Sequence, residues 1–260
     1  MHQCPNALVT PVTYFAMSIL VFIVVFGLTL FLQRWLHQHI QGLTFAVTGD
    51  PGCAMRILFF LLLPGIVLHE GSHWFVANLV GVRTGKVSFG VARARGKQFS
   101  LGSVTVDRTD SVRESLIGLA PFVVGLGAIL LIAGYGFDLW PDSGLSVGDM
   151  VQRVLSTAGD PLTWLDIYLV FAVSTAMIPS ESDREPWGGL LVVCGAVAMV
   201  SILLGWTPRI PPDLITWGRR VLDGLTFAFG VSVVVNGVVA VVIGIVEWTV
   251  ASLTQRRVRY

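Results

Sequence analysis

The sequence predicts an all-α polytopic membrane protein of about six transmembrane helices, with a small cytoplasmic β-hairpin after the second helix. Two observations predict this class. First, 54% of the 260 residues are hydrophobic and 13% are charged, whereas soluble domains carry about 25% charged residues. Second, six apolar stretches are about as long as a helix that crosses a bilayer. They are residues 12–32, 57–80, 116–137, 163–179, 187–205 and 222–250.

The composition excludes several other classes of protein. The net charge of +1 gives no sign of a nucleic-acid partner. Cys4, Cys53 and Cys194 are far apart and odd in number, so they indicate neither a disulfide framework nor a CxxC metal site. The chain shows no internal repeat, low-complexity segment or linker. We therefore expect residues 1–260 to form one membrane-embedded domain.

The first span is expected to be a permanent helix. It is longer than the apolar core of a signal peptide, no positively charged segment precedes it, and no cleavage pattern closely follows it. Tryptophans support the division into spans, because all but one lie at or near predicted span ends, as in an aromatic belt. These are Trp35, Trp140, Trp164, Trp187, Trp206, Trp217 and Trp248.

Lysine and arginine residues in the connections predict the orientation. The connection 81–115 and the tail after residue 255 are both basic, and six spans place them on one side, which we assign to the cytoplasm. Both termini are then cytoplasmic, and the cell (inner) membrane is the expected location. The connection 138–162 faces outward and is acidic, whereas the connection 206–221, with three arginines, argues against this orientation.

The second span contains His69, Glu70 and His73 in an otherwise apolar segment. Residues four apart share a helix face, so both imidazoles can point at one metal ion. Glu70 lies about 100° round the helix, where it can accept a proton from water without being a ligand. This HExxH arrangement predicts two zinc ligands and a general base. The alternative is a pair of histidines satisfied by packing and hydrogen bonds.

The connection after the second span predicts a β-hairpin. Residues 86–91 and 100–107 alternate apolar and polar side chains, with a glycine and basic residues between them. Two interpretations stay open. The hairpin is either an inert solvated element, or it offers an edge strand that holds a substrate extended beside the metal.

A catalytic zinc usually takes three protein ligands and leaves one position open. Asp166 and Asp223 are expected at the opposite ends of their spans, away from the histidines. Asp183 follows the fourth span on the same side as the histidines and is therefore the predicted third ligand, with Glu181 and Glu185 as substitutes. The alternative is a solvated acidic turn between two spans.

Three further features of the spans allow structural interpretations. Pro64 should kink the second helix shortly before His69. In the sixth span, Gly230, Gly237 and Gly244 form a small-residue stripe suited to close helix packing, and Asn236 is expected to make an interhelical hydrogen bond rather than a substrate contact.

These motifs resemble the site-2 protease family of intramembrane zinc metalloproteases, over about residues 57 to 190. The likeness lies in the HExxH helix, the hairpin after it, and a downstream segment with Pro179 and Asp183 followed by two glycines. In the family, an Asn-x-x-Pro-x-Pro-x-Leu-Asp-Gly segment supplies the third zinc ligand. Here Ala176 stands at the position of that Asn, and Arg184 follows the Asp. No inserted PDZ or CBS domain is visible, which indicates a minimal core.

The resemblance implies a zinc-dependent endopeptidase that cleaves a transmembrane or membrane-proximal peptide bond near the cytoplasmic face. Its expected ligands are His69, His73 and Asp183, with Glu70 as the catalytic acid and base. Its partners would be a membrane-protein or membrane-peptide substrate and the lipid bilayer. Two alternatives remain. One is a membrane zinc peptidase of another family with a Glu as third ligand, and the other is a non-proteolytic metal-binding subunit of a membrane complex.

Overall fold

The computed structural model describes residues 11–93, 99–141, 146–178, 180–203 and 212–254. These ranges contain seven helices and one antiparallel hairpin, so the predicted helical fold with a hairpin after the second helix is confirmed. The helices are α1 (Pro11–Thr48), α2 (Pro51–Leu79), α3 (Ser111–Phe137), α4 (Val147–Ser156), α5 (Pro161–Ala176), α6 (Glu181–Leu203) and α7 (Pro212–Thr254). The strands are β1 (Thr84–Arg93) and β2 (Phe99–Val106).

Four of the described helices, α1, α2, α3 and α7, are long and apolar enough to cross a membrane. The predicted count of six spans is not confirmed. The fourth predicted span corresponds to α5, whose 16 residues make a helix of about 24 Å, shorter than the hydrocarbon core of about 30 Å. The fifth corresponds to α6, which is not among the four.

Helix α1 is longer than the sequence predicted, because it continues beyond residue 32 to Thr48. Polar residues such as Gln33 and His39 interrupt the apolar pattern there, but both are largely buried against other helices. Their polar atoms have partners on α5 and α7. The apolar run therefore ends before the helix does.

Helices α1 and α7 run side by side in the same direction. Towards their amino-terminal ends, the ring centroid of Phe229 lies 6.0 Å from that of Phe22 and 5.1 Å from that of Phe26. Nearer their carboxyl-terminal ends, Nδ1 of His39 lies 2.6 Å from Oε2 of Glu247. Residue numbers thus rise together along both helices. This parallel packing differs from the six-span prediction, in which the first and the sixth span run in opposite directions.

A two-residue link reverses the chain between α1 and α2. Gly49 has a φ of 70°, a conformation that glycine adopts without strain. The carboxylate of Asp50 then caps α2 by accepting hydrogen bonds from the backbone N–H groups of Gly52 and Cys53. Pro64 lies inside α2, as expected, and the helix continues through it to Leu79. This continuity keeps the two histidines on one helix.

Glycines allow α2, α3 and α5 to pack closely around the candidate site. A Cβ on Gly65 of α2 would lie 2.0 Å from the backbone oxygen of Ala172 in α5. On α3, a Cβ on Gly125 would lie 2.6 Å from that of Met177. The predicted stripe on α7 was wrong as a close-packing surface, because a Cβ on Gly237 or Gly244 would meet no described atom within 4 Å.

The connection between α3 and α5 contains α4, a short helix that the sequence analysis did not predict. Ser146 and Asp149 form a capping box at its start, and Met150 and Val154 are buried on its inner face. These two side chains belong to the main apolar core, which also includes residues of α1, α2, α3, α5 and α7. Helix α4 therefore packs its inner face on this core and against α7.

Candidate metal centre

His69, His73 and Asp183 meet at one point between α2 and the start of α6. Nε2 of His69 lies 3.2 Å from Nε2 of His73. The carboxylate of Asp183 lies 3.3 Å from Nε2 of His73 and 3.7 Å from Nε2 of His69. The three residues form the group of possible metal ligands found among the described residues, and their ligand atoms all lie within 4.8 Å of one another.

Backbone carbonyls orient both imidazoles. Nδ1 of His69 lies 2.7 Å from the carbonyl oxygen of Ala176, at the end of α5. Nδ1 of His73 lies 2.9 Å from the carbonyl oxygen of Ile117 in α3. A carbonyl only accepts hydrogen bonds, so each Nδ1 carries the proton and each Nε2 presents its lone pair to the common point. Metal-binding histidines usually donate their other ring N–H to a carbonyl or carboxylate in this way, which fixes the orientation of the ring.

Asp183 lies in the first turn of α6 rather than in a solvated loop. Its carboxylate accepts hydrogen bonds from the backbone N–H of Ser180 at 2.7 Å and from its hydroxyl at 2.6 Å. Gly118 of α3 lets the backbone at Asp183 approach closely, since a Cβ there would lie 2.3 Å from the Asp183 carbonyl oxygen. Burial raises the pKa of Asp183, but its interactions with His73 and Ser180 outweigh this effect and lower the pKa to about 2. The carboxylate is therefore ionised, and the hydrogen bonds from Ser180 fix its orientation.

Of the two alternative acidic ligands, Glu185 is the one whose side chain the structure describes. Glu185 is exposed to solvent and is not one of the three clustered ligands. The side chain of Glu181 lies outside the described residues. The geometry thus favours Asp183 among the acids whose side chains are described.

Glu70 lies next to the ligand group and is not part of it. Its residue is 9% exposed. Strand β2 covers it, because a Cβ added to Gly102 would lie 2.8 Å from both Cγ and Oε1 of Glu70. Only glycine allows the strand to approach a carboxylate this closely. The hairpin is therefore a wall of the site and not a separate surface element.

The ligand set fits a zinc ion. Zinc–ligand bonds of about 2.0–2.2 Å in tetrahedral geometry place neighbouring ligand atoms about 3.3–3.5 Å apart. The two Nε2 atoms lie 3.2 Å apart, and they lie 3.3 Å and 3.7 Å from different oxygens of Asp183. One ligand atom from each residue lies within 4.8 Å of the others, so a small adjustment of the side chains would bring the three to this spacing. Two neutral imidazoles and one carboxylate are also a common donor set for catalytic zinc, which leaves a fourth position open.

The sequence analysis found the side chains of this site but missed their supports. The carbonyls of Ala176 and Ile117 have no side-chain signal, because any residue provides a carbonyl. The role of Gly102 could not be predicted from the sequence either, since it depends on where the hairpin packs. The role of Ser180 could have been predicted from the sequence, because Ser-x-x-Asp is the spacing of a capping box. Ser180 and Asp183 form the hydrogen bonds of that motif.

The candidate metal centre is thus a half-buried and a buried histidine with an ionised carboxylate, at one end of a helical bundle. A second carboxylate, Glu70, lies directly beside it under a β-hairpin. Comparison with protein-family models, with curated proteins and with solved structures finds no match to this chain.

Proposed function

We propose that this chain is a zinc-dependent intramembrane endopeptidase, a metalloprotease of the site-2 type. The observation that carries the proposal is the convergence of His69, His73 and Asp183, with the carboxylate of Glu70 beside them and outside the ligand set. The first three residues would hold the zinc ion. A carboxylate next to a three-ligand zinc site is the arrangement that hydrolytic zinc enzymes use.

In the proposed reaction, the zinc ion and the protein side chains have different roles. Zinc bound here would act as a Lewis acid that activates water near neutral pH. Glu70 accepts the proton that the attacking water loses, and then donates a proton to the leaving amine as the peptide bond breaks. The buried position of Glu70 excludes bulk water from this proton transfer. Nε2 of His69 and Nε2 of His73 stay unprotonated because the two carbonyls fix the proton on Nδ1.

The hairpin is the proposed substrate-positioning element. A peptide bond inside a helix is shielded by its own hydrogen bonds, so the substrate must first become locally extended. The two strands form a two-stranded sheet among the described residues, and β2 lies against Glu70. An extended peptide that pairs with an edge of this sheet would pass the catalytic carboxylate. The proposed substrate is a transmembrane or membrane-proximal segment.

The proposed location is the cell membrane, with the hairpin end of the bundle facing the cytoplasm. The basic residues in and after the hairpin support this orientation under the positive-inside rule. Cleavage would then take place near the cytoplasmic face. We further propose that the carboxyl end of α7 lies on the opposite side of the membrane from the hairpin, and the parallel course of α1 and α7 supports this.

Metal content and cleavage together test the proposal. The purified chain should carry about one zinc ion and should cut a co-expressed membrane peptide. A chelator should stop the cleavage, and added Zn²⁺ should restore it. A chain that binds zinc and cuts none of a panel of membrane peptides would instead support a structural metal site.

One observation is also consistent with that second candidate, a non-proteolytic subunit with a structural metal. Strand β2 lies directly over Glu70, and the residue is 9% exposed. A covered base suits a closed enzyme that opens for substrate, and it equally suits a site that never turns over. The two candidates differ in whether Glu70 is required for any function of the protein.

A further inference from the structure

A second polar cluster lies in the helical bundle behind the candidate metal centre. It consists of Gln33 on α1, Ser174 on α5 and Asn236 on α7, and all three residues are buried. Polar groups inside an apolar bundle are costly unless they are paired with one another. The cluster joins three helices at one residue, Ser174, two positions before the carbonyl that orients His69.

The end of α5 explains why this cluster is needed. The last carbonyls of a helix have no partners within it, and in an apolar environment other groups must supply the donors. Nε2 of Gln33 donates a hydrogen bond to the carbonyl of Ser174, and Nδ1 of His69 donates one to the carbonyl of Ala176. Side chains from two other helices therefore complete the carboxyl end of α5.

Asn236 fixes the same turn through the hydroxyl of Ser174. This hydroxyl donates to the carbonyl of Phe171 at 3.1 Å and accepts a hydrogen bond from Nδ2 of Asn236, also at 3.1 Å. Both Ser174 and Asn236 are 0% exposed. On its other side, the same part of α5 is pressed against Gly65 of α2, one turn before His69. The position of the Ala176 carbonyl is thus set from three directions.

We propose that Asn236 and Gln33 are positioning residues of the metal centre: they hold the end of α5 so that the Ala176 carbonyl orients His69. Neither residue touches the ligand group, so each acts through Ser174 and then Ala176. The inference rests on the metal centre proposed above and not on the reaction that the centre performs. Loss of a supporting group behind a ligand typically lowers metal affinity by about 10–100-fold, and we expect about tenfold here because the support is one step further away.

The test measures the affinity of the full chain in detergent for Zn²⁺, by competition with a chelator, together with thermal unfolding. Asn236→Leu and Ser174→Ala should each weaken zinc binding about tenfold. The double variant should weaken it no further, because both changes remove the same hydrogen bond. Ser174→Thr keeps the hydroxyl and should retain native affinity. If Asn236→Leu does not fold, the two Ser174 variants alone decide the question.

Matched controls separate positioning from general stability. Ser232 on α7 and Thr29 on α1 are also 0% exposed, and their hydroxyls bond to carbonyls of their own helices. Ser232→Ala and Thr29→Val should leave zinc affinity unchanged even where they lower the unfolding temperature. Co²⁺ bound in place of zinc should show an altered visible spectrum in Asn236→Leu and a native one in both controls.

Native affinity and a native Co²⁺ spectrum in folded Asn236→Leu and Ser174→Ala would overturn the positioning role while leaving the metal centre intact. A native chain that binds neither Zn²⁺ nor Co²⁺ would overturn the metal centre itself, and this inference with it.

Discussion

At the scale of single residues, the carboxylate of Asp183 is the part of the site that sequence reasoning found with least support from a motif. It was selected because it follows a span on the expected side. The structure places it within 3.3 Å of His73 and orients it through Ser180. A position two residues further along α6, Glu185, faces solvent. Between Asp183 and Glu185, the direction in which each side chain leaves α6 therefore determines which carboxylate reaches the histidines.

Replacement of Asp183 should show which of these acids is the third zinc ligand. Asp183→Ala removes one of the three proposed ligands. Loss of a group that merely supports a ligand lowers metal affinity by about 10–100-fold, and we expect a larger loss of zinc affinity here. Glu185→Gln is the matched control and should keep native zinc content. Elemental analysis of both purified variants gives the answer. Zinc loss in Glu185→Gln with full occupancy in Asp183→Ala would reassign the third ligand.

Gly102 offers a second test at this scale. A Cβ there would lie 2.8 Å from the Glu70 side chain, so Gly102→Ala should displace either the strand or the carboxylate. We expect cleavage to fall and zinc content to stay native, because Glu70 is not a ligand. Ser103 is the neighbouring residue on β2 and is exposed, so Ser103→Ala should change neither. Unchanged cleavage in Gly102→Ala would show that the contact between hairpin and base does not matter.

At the scale of elements, the close packing of α2 against α5 aligns the histidine helix with the carbonyl that orients His69. The contact depends on Gly65, where no side chain fits, because the nearest atom would be the backbone of Ala172. A glycine inside a helix costs about 1 kcal/mol relative to alanine, so its presence here indicates that close approach outweighs helix propensity.

Gly65→Ala should therefore destabilise the protein, in spite of the better helix propensity of alanine. Overpacking against backbone typically costs about 1–3 kcal/mol, which should appear as a lower unfolding temperature in detergent and as weaker zinc binding. Gly237→Ala is the matched control, because a Cβ there meets no atom of the described residues within 4 Å, and it should be neutral or stabilising. Equal stability of the two variants would contradict this packing.

The accuracy of the predictions from the sequence also differs from element to element. Apolar runs predicted α2, α3 and α7, and the alternation of apolar and polar residues predicted the hairpin, because burial in lipid and pairing of strands impose local patterns. The end of α1 was missed because Gln33 and His39 are polar residues with partners on distant helices. The glycine stripe on α7 was misassigned because spacing shows which residues share a face and not which helix lies opposite. Asn236 was correctly expected to form an interhelical hydrogen bond.

At the scale of the whole molecule, the relative direction of the helices decides where the chain ends lie. Six alternating spans would return the tail to the side of the hairpin. The structure has four candidate spans among its described residues, and α1 and α7 are parallel. No local pattern in the sequence carries this information, because direction depends on how many segments cross between the first helix and the last.

Cysteine labelling of the protein in sealed vesicles tests this arrangement. With the native cysteines replaced, cysteines at Asp50 and Ser252 should react from one side of the membrane. A cysteine at Ser88 in β1 should react from the other side, which is the cytoplasmic side if the basic hairpin follows the positive-inside rule. Labelling of Ser252 and Ser88 from the same side would restore the six-span arrangement and contradict the parallel packing.

The central claim is that this molecule is a metalloprotease whose base is Glu70, and the variant Glu70→Gln tests it most directly. Glutamine nearly matches glutamate in size, so the helix and both histidines should stay in place, but its amide cannot accept the proton. The measurement is zinc content and cleavage of one co-expressed membrane peptide in the same preparation. The account predicts native zinc and a fall in product of about 10²–10⁴-fold. Cleavage at the native rate, or loss of zinc from the variant, would contradict it.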